Sequence, residues 1–233
     1  MIRSGRFLFL TFLAFFLVSG CGNQQEAAQL REVATQALAG MLAGQDEGVP
    51  PVVADQNGFL AVSPQLVATE SNTVVGVVLE DRSSQALLTP SGQRGNLVTW
   101  LSADRVSFTF TGGTMLVRTS GLGRDLQNAE FTQVLTAMAS GQRGTAQREH
   151  VYLTRDFQQE RQVFSCDVTP MGRDEIQIAG RNFSTLRFEE TCRRGSEQFT
   201  NAYWLDGGTG LIVQSVQWIH PDTGRAHFQI INN

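Results

Sequence analysis

Val106-Ser-Phe-Thr-Phe-Thr111, Gly112-Gly113 and Thr114-Met-Leu-Val-Arg-Thr119 read as two β-strands joined by a glycine turn. The first run alternates apolar and polar residues, the period of a half-buried strand, and paired glycines supply the positive φ that tight hairpins require. The pattern recurs on both sides. Upstream lie Thr73-Val-Val-Gly-Val-Val-Leu79 and Asn96-Leu-Val-Thr-Trp-Leu-Ser102. Downstream, strands are expected over 150–155, 161–168, 175–179, 183–191, 198–205, 211–218 and 226–231. Pro170-Met-Gly172, Gly180-Arg-Asn182, Asp206-Gly-Gly208 and Pro221-Asp-Thr-Gly224 separate them as turns. Short strands at regular spacing, without intervening helices, predict an antiparallel meander rather than βαβ units. Ser120–Asn128 reads as a glycine-rich loop. Phe131, Val134, Leu135 and Met138 predict one short helix over 129–139. Ser91-Gly-Gln-Arg-Gly95 recurs as Ser140-Gly-Gln-Arg-Gly144, which reads as two similar surface turns because the flanks differ.

The first 57 residues differ in character. Arg3 and Arg6 precede an apolar run from Phe7 to Val18, which ends in Ser19-Gly20-Cys21. Twelve helical residues span roughly 18 Å against about 30 Å of hydrocarbon, so an export signal is a better reading than a membrane span. Val18-Ser-Gly-Cys21 resembles the lipobox of bacterial lipoproteins, which implies cleavage after Gly20 and lipidation of Cys21. Leu30, Val33, Ala34, Ala37, Leu38, Met41 and Leu42 predict an N-terminal helix, and Gln45–Asn57, with Pro50-Pro51, reads as a linker. The expected organisation is a signal peptide over 1–20, a lipidated N-terminus, helix and linker over 21–57, and one β-rich domain over 58–233.

Composition limits the partners. Loss of residues 1–20 removes Arg3 and Arg6, so 18 − 2 = 16 basic residues, all arginine, face 22 acidic ones, a net charge of −6. That balance argues against nucleic acid and against electrostatic binding to anionic lipid. Acyl chains on Cys21 would provide the membrane attachment. Cys166 and Cys192 then remain as an even pair in an oxidising compartment, and a disulfide is expected.

Sites of chemistry are few. Gly121-Leu-Gly123-Arg124-Asp125 lacks the spacing of a dinucleotide loop, and neither a phosphate-binding lysine nor a Gly-x-Ser-x-Gly elbow occurs. Glu189-Glu190 are adjacent in a strand and point to opposite faces, so they cannot flank one glycosidic bond. His150 and His227 are expected at strand ends, and His220 at a turn. No cofactor, metal site or catalytic residue is expected. Trp100, Trp204 and Trp218 are candidate glycan-stacking residues, although strand tryptophans more often fill a core.

Trp100-Leu-Ser-Ala-Asp104, Leu116-Val-Arg-Thr-Ser-Gly-Leu-Gly-Arg-Asp-Leu126 and Gly210-Leu-Ile-Val-Gln-Ser-Val-Gln-Trp-Ile-His-Pro221 resemble the YjbF/GfcB family of capsule and exopolysaccharide lipoproteins. The resemblance implies a mainly β fold, an antiparallel meander forming an open or half barrel-like sheet. It implies an outer-membrane lipoprotein facing the periplasm and assisting polysaccharide secretion or assembly. Other export proteins and the polysaccharide are the implied partners, and Gly22 is similar to the residue after the cysteine in lipoproteins sorted to the outer membrane. Two other functions compete: a lipid or lipoprotein carrier, which needs an apolar cavity within a curved sheet, and a polysaccharide-modifying enzyme, which needs paired carboxylates.

Overall fold

The computed structural model describes residues 53–63, 73–154, 156 and 158–232. Cys21, the expected N-terminal helix and most of the expected linker lie outside the described residues. In chain order the elements are β1 (Val53–Ala54), β2 (Leu60–Ala61), β3 (Val74–Leu79), a 3-10 turn (Glu80–Arg82), β4 (Ser84–Arg94), β5 (Leu97–Leu101), β6 (Ser107–Thr111) and β7 (Met115–Ser120). There follow β8 (Leu126–Glu130), α1 (Thr132–Ser140), β9 (Gly144–Leu153), β10 (Gln159–Ile178), β11 (Arg181–Arg194), β12 (Glu197–Asp206), β13 (Ile212–His220) and β14 (Gly224–Asn232). The meander expectation describes the molecule well: twelve strands form one antiparallel sheet in the order β7-β6-β5-β4-β3-β14-β13-β12-β11-β10-β9-β8. The first and last strands of this sheet in sequence, β3 and β14, pair at its middle. Its two edges, β7 and β8, are consecutive in the chain.

That arrangement curls the sheet into a nearly closed barrel and leaves little open edge. The start of β7 lies across β13. Thr114 N–H donates to Ile212 O at 2.9 Å and Ile212 N–H to Gly112 O at 3.0 Å. Gln217 donates through Nε2 to Thr114 O at 2.6 Å and accepts at Oε1 from Leu116 N–H at 3.1 Å. The end of β7 faces β8, where Arg118 Nε donates to Gln127 O at 2.8 Å. Gly113 makes this closure sterically feasible: its φ is +99°, and a Cβ would stand 2.3 Å from Ile212 O.

Bulges bend the long strands. β4 pairs with β3 through Ser84–Leu88 and with β5 through Thr89–Arg94, with a register shift between Pro90 and Gly92. β10 carries the same device between Pro170 and Gly172. The expected turn at Pro170-Met-Gly172 is therefore a bulge inside one 20-residue strand, and the strands expected over 161–168 and 175–179 are continuous. β4 and β8 escape the sequence pattern because they are mostly exposed and polar, with only Leu88 buried in β4, and Leu126 and Ala129 in β8. The two Ser-Gly-Gln-Arg-Gly copies differ: one runs from β4 into its hairpin, the other from the α1 C-terminus into β9. Among the described residues α1 is the one α-helix; it buries Val134 and Met138 and ends at Gly141 in the left-handed region. Val53–Ala54 pairs with Leu60–Ala61, so the last residues of the expected linker form a hairpin of the domain.

The inner face of the sheet is filled. Phe108, Phe110, Tyr152, Phe188, Tyr203 and Phe228 have almost no exposed surface and belong to one core cluster. Phe228 meets the edges of Phe110 and Phe108 at 4.9 and 5.3 Å between centroids. Each such ring contributes about 1.5–3 kcal/mol by burial. On the opposite face, Val74, Ile178, Val213 and Ile231 form a second cluster. Next to it, Phe59 and Leu60 of the first hairpin pack down, with Gln229 Nε2 donating to Leu60 O.

Candidate functional site

At the seam between β7 and β8 the chain makes a tight, pinned loop. Asp125 holds it: Oδ1 accepts from Thr119 Oγ1 at 3.1 Å and Leu122 N–H at 3.0 Å, while Oδ2 accepts from Gly121 N–H at 3.0 Å. Thr119 Oγ1 in turn accepts from Leu126 N–H at 3.0 Å. Arg82 ties this loop to the β13–β14 turn, its Nη2 donating to Leu122 O at 2.7 Å and to Thr223 Oγ1 at 3.2 Å. Beside the loop opens a cleft of about 680 Å³, lined by Leu122, Gly123 and Arg124, by Gln127 of β8, by Leu153 and Thr154 at the end of β9, and by Asp222 of the turn. One of the stretches that carry the family resemblance, the one ending at Leu126, thus lines the cleft, and Asp222, just past the stretch that ends at Pro221, joins it from a distant part of the chain.

The arginine of the lining is paired. Arg124 binds Glu160, whose Oε1 also accepts from Gln162 Nε2 at 2.7 Å. The Gln162 bond and the Arg124 charge hold the Glu160 carboxyl below its usual range. Arg124 Nε and Gln162 Oε1 are buried without a hydrogen-bond partner. His220 Nδ1 accepts from Asp222 N–H at 3.1 Å, which leaves the neutral ring's proton on Nε2. Burial, and secondarily Arg124, lowers the His220 pKa. Chemically, the lining offers guanidinium and amide donors, a hydroxyl, exposed carboxylate oxygens at Asp222 and the partly exposed Leu153, Leu122 being held almost wholly in the core. It suits recognition of a polar ligand with apolar edges. Asp125, the other carboxylate in the lining, is engaged at both oxygens by the loop itself.

Away from the cleft, the interior contains a buried ion pair. Arg148 donates through Nε and Nη2 to the two Glu190 oxygens at 2.8 and 2.9 Å, with side chains 2% and 0% exposed. Asn201 Nδ2 and Tyr203 OH donate to Glu190 Oε2 at 2.9 and 2.7 Å. Burial opposes the Arg148 charge most strongly of any single influence, but the Glu190 carboxylate and the neighbouring tyrosines together raise the pKa. Burial raises the Tyr203 hydroxyl well above its ordinary range. A pair so enclosed is structural.

The residues singled out from sequence fall in different places. Cys166 and Cys192 are directly opposite in the β10–β11 register and form the expected disulfide. They lie beside Glu190, and because the sulfurs are bonded to each other the trio offers no thiolate to a metal. All three tryptophans have their indoles packed against protein. Trp100 is buried in the main core. Trp204 lies under Arg187, meets Phe59 edge-on and donates Nε1–H to Asp174 at 2.8 Å. Trp218 stacks on Phe199 at 4.5 Å and on His150 at 5.8 Å. None of them lines the cleft described above. His150 and His227 are interior to β9 and β14, not at strand ends, and both are buried. His150 donates from Nδ1 to Tyr152 OH at 2.9 Å, since that hydroxyl's own proton goes to Ile219 O. Glu189 and Glu190 do point to opposite faces, the first paired with Arg187 and the second with Arg148. Sequence reasoning missed Arg124 and Asp222 as site residues. The only signals were two glycines just before an Arg-Asp pair and a Pro-Asp turn, both common in ordinary loops.

Residues 49–231 match the model of a family described as group 4 capsule polysaccharide lipoprotein gfcB, YjbF. Among solved structures, the hypothetical lipoprotein YmcC from Escherichia coli (K12) is similar, with a TM-score of 0.65 at 17% identity, over 86% of this chain and 95% of that chain. That likeness concerns the fold. No curated protein matches the sequence. With the family model covering the entire β domain, the chain belongs to the YjbF family of group 4 capsule polysaccharide lipoproteins.

Proposed function

We propose that this protein is an outer-membrane lipoprotein, anchored through Cys21 with its β domain on the periplasmic face, and that it acts without catalysis as an accessory factor in capsule or exopolysaccharide secretion or assembly. Family membership over residues 49–231 carries this reading. The lipobox-like Val18-Ser-Gly-Cys21 and Gly22 support the anchor and the outer-membrane address. Its partners are other export proteins and the polysaccharide itself. The filled inner face speaks against the carrier reading, which needs room for acyl chains among the core aromatics. The engagement of Asp125 within its own loop leaves the enzyme reading without a free carboxylate pair in the cleft. Deletion of the gene should lower surface polysaccharide, and re-expression of the wild-type chain should restore it. A Cys21→Ser form should appear in the soluble periplasm and fail to restore it. An unchanged polysaccharide level in the deletion strain would overturn the proposal.

A further inference from the structure

We infer that the cleft between the Gly121–Asp125 loop and Asp222 binds an uncharged, hydroxyl-rich saccharide segment. The inference rests on the accessory reading above for its choice of a glycan, and on the cleft for everything else. At about 680 Å³ the cleft lies within the range of small-ligand sites, about 300–1,000 Å³. Its lining mixes donors and acceptors: the Arg124 guanidinium, the Gln127 amide, the Thr154 hydroxyl and the Asp222 carboxylate, with Leu122 and Leu153 between them. Sugar hydroxyls both donate and accept, and the ring carbons between them present apolar edges, so one saccharide can answer every group in this set.

The charge balance selects against an acidic sugar. Arg124 is already neutralised by Glu160, and Asp222 brings a 67% exposed carboxylate to the rim. Among the described residues of the lining no cation is left unpaired to offset Asp222 against a uronate, and the Arg82 guanidinium nearby is engaged by Leu122 O, Asp222 O and Thr223 Oγ1. A neutral sugar instead donates to Asp222 without that repulsion. Arg124 Nε–H, sealed against solvent and without an acceptor, is a further donor that a hydroxyl oxygen satisfies once the partly exposed side chain shifts. The loop is also pre-organised. Asp125 and Arg82 together fix it by hydrogen bonds before any ligand arrives, which reduces the ordering cost of binding.

The test uses the full mature lipoprotein in detergent and fragments of the producing cell's own surface polysaccharide. Mild acid hydrolysis yields the fragments, and anion exchange divides them into uncharged and uronate-bearing fractions. Calorimetry should show binding of the uncharged fraction. Asp222→Ala and Arg124→Gln should each weaken it about tenfold or more, the scale of one hydrogen bond to a charged group. The Asp222→Ala melting temperature should not change, because that side chain lies on an exposed turn. Absence of binding, binding confined to the uronate fraction, or wild-type affinity in both variants would overturn the assignment. If the deletion strain loses surface polysaccharide and both variants restore it fully, the cleft assignment fails and the accessory role stands. If the deletion strain keeps its polysaccharide, the accessory role fails whatever the cleft binds.

Discussion

Replacing Glu190 by glutamine removes one charge and almost no volume, so its effect reports the electrostatics of the buried network. Glu190 Oε2 accepts from three donors, Arg148 Nη2, Asn201 Nδ2 and Tyr203 OH, at 2.7–2.9 Å. A glutamine must keep its carbonyl oxygen there, which turns its NH₂ toward Arg148 Nε, now 2.8 Å from Oε1. Two donors then face each other, and a guanidinium 2% exposed has lost its counter-charge. Leaving one buried ion unpaired typically costs about 3–5 kcal/mol, a large part of a usual stability of about 5–15 kcal/mol. Urea unfolding of the mature protein, followed by tryptophan fluorescence, measures the loss through the midpoint at constant m. A second variant, Arg148→Met with Glu190→Leu, removes both charges and should be less destabilised than Glu190→Gln alone. A Glu190→Gln loss below about 1 kcal/mol, or a double variant worse than the single one, would refute the reasoning.

Gly113→Ala places a methyl group against the Ile212 carbonyl at a φ of +99°, so it should cost several kcal/mol and increase hydrogen exchange of the Thr114 and Ile212 amides. Cys166→Ala with Cys192→Ala opens a 26-residue separation and should lower stability by about 3.5 kcal/mol in the chain-entropy model; labelling of the unreduced, unfolded protein should find neither cysteine free. Burial lowers the pKa of His150, His220 and His227. The unfolded chain then binds more protons near its ordinary value of about 6.5, so this stability is present above that pH and is lost on acidification. The slope should reach up to about 1.4 kcal/mol per pH unit for each histidine. His150→Phe should narrow the difference in urea midpoint between pH 7.5 and 5.0, and a midpoint that rises on acidification would contradict it.

Much of the fold was legible in local pattern. Val106–Thr119 gives an alternating strand, a glycine turn and a second strand, and in the first strand each residue's face follows from a period of two. Cysteine parity pointed to one disulfide for the same kind of reason. Legibility ended where burial and polarity disagree. β4 and β8 hold few apolar residues, so their pairing comes from neighbours already in place. Glu190 is of a type that is usually exposed, yet it lies at zero exposure paired with Arg148. Trp100 is buried in the main core and Trp204 under Arg187, whereas Trp218 is half-buried against Phe199.

The sequence by itself determined most of the strands and their antiparallel meander character, the export and lipidation signal expected at Cys21, and a family resemblance carried by three short stretches. These depend on spacing and residue type over a few neighbours, which a linear string contains. Only the tertiary structure decided that β3 and β14 pair at the middle of the sheet and that β7 and β8 meet at its seam. It also decided that Arg124 and Asp222, 98 positions apart, border the same cleft. Those outcomes depend on sheet curvature, bulges at Pro90 and Pro170 and the hairpin contact at Gly113, and each acts across distances that no local period records.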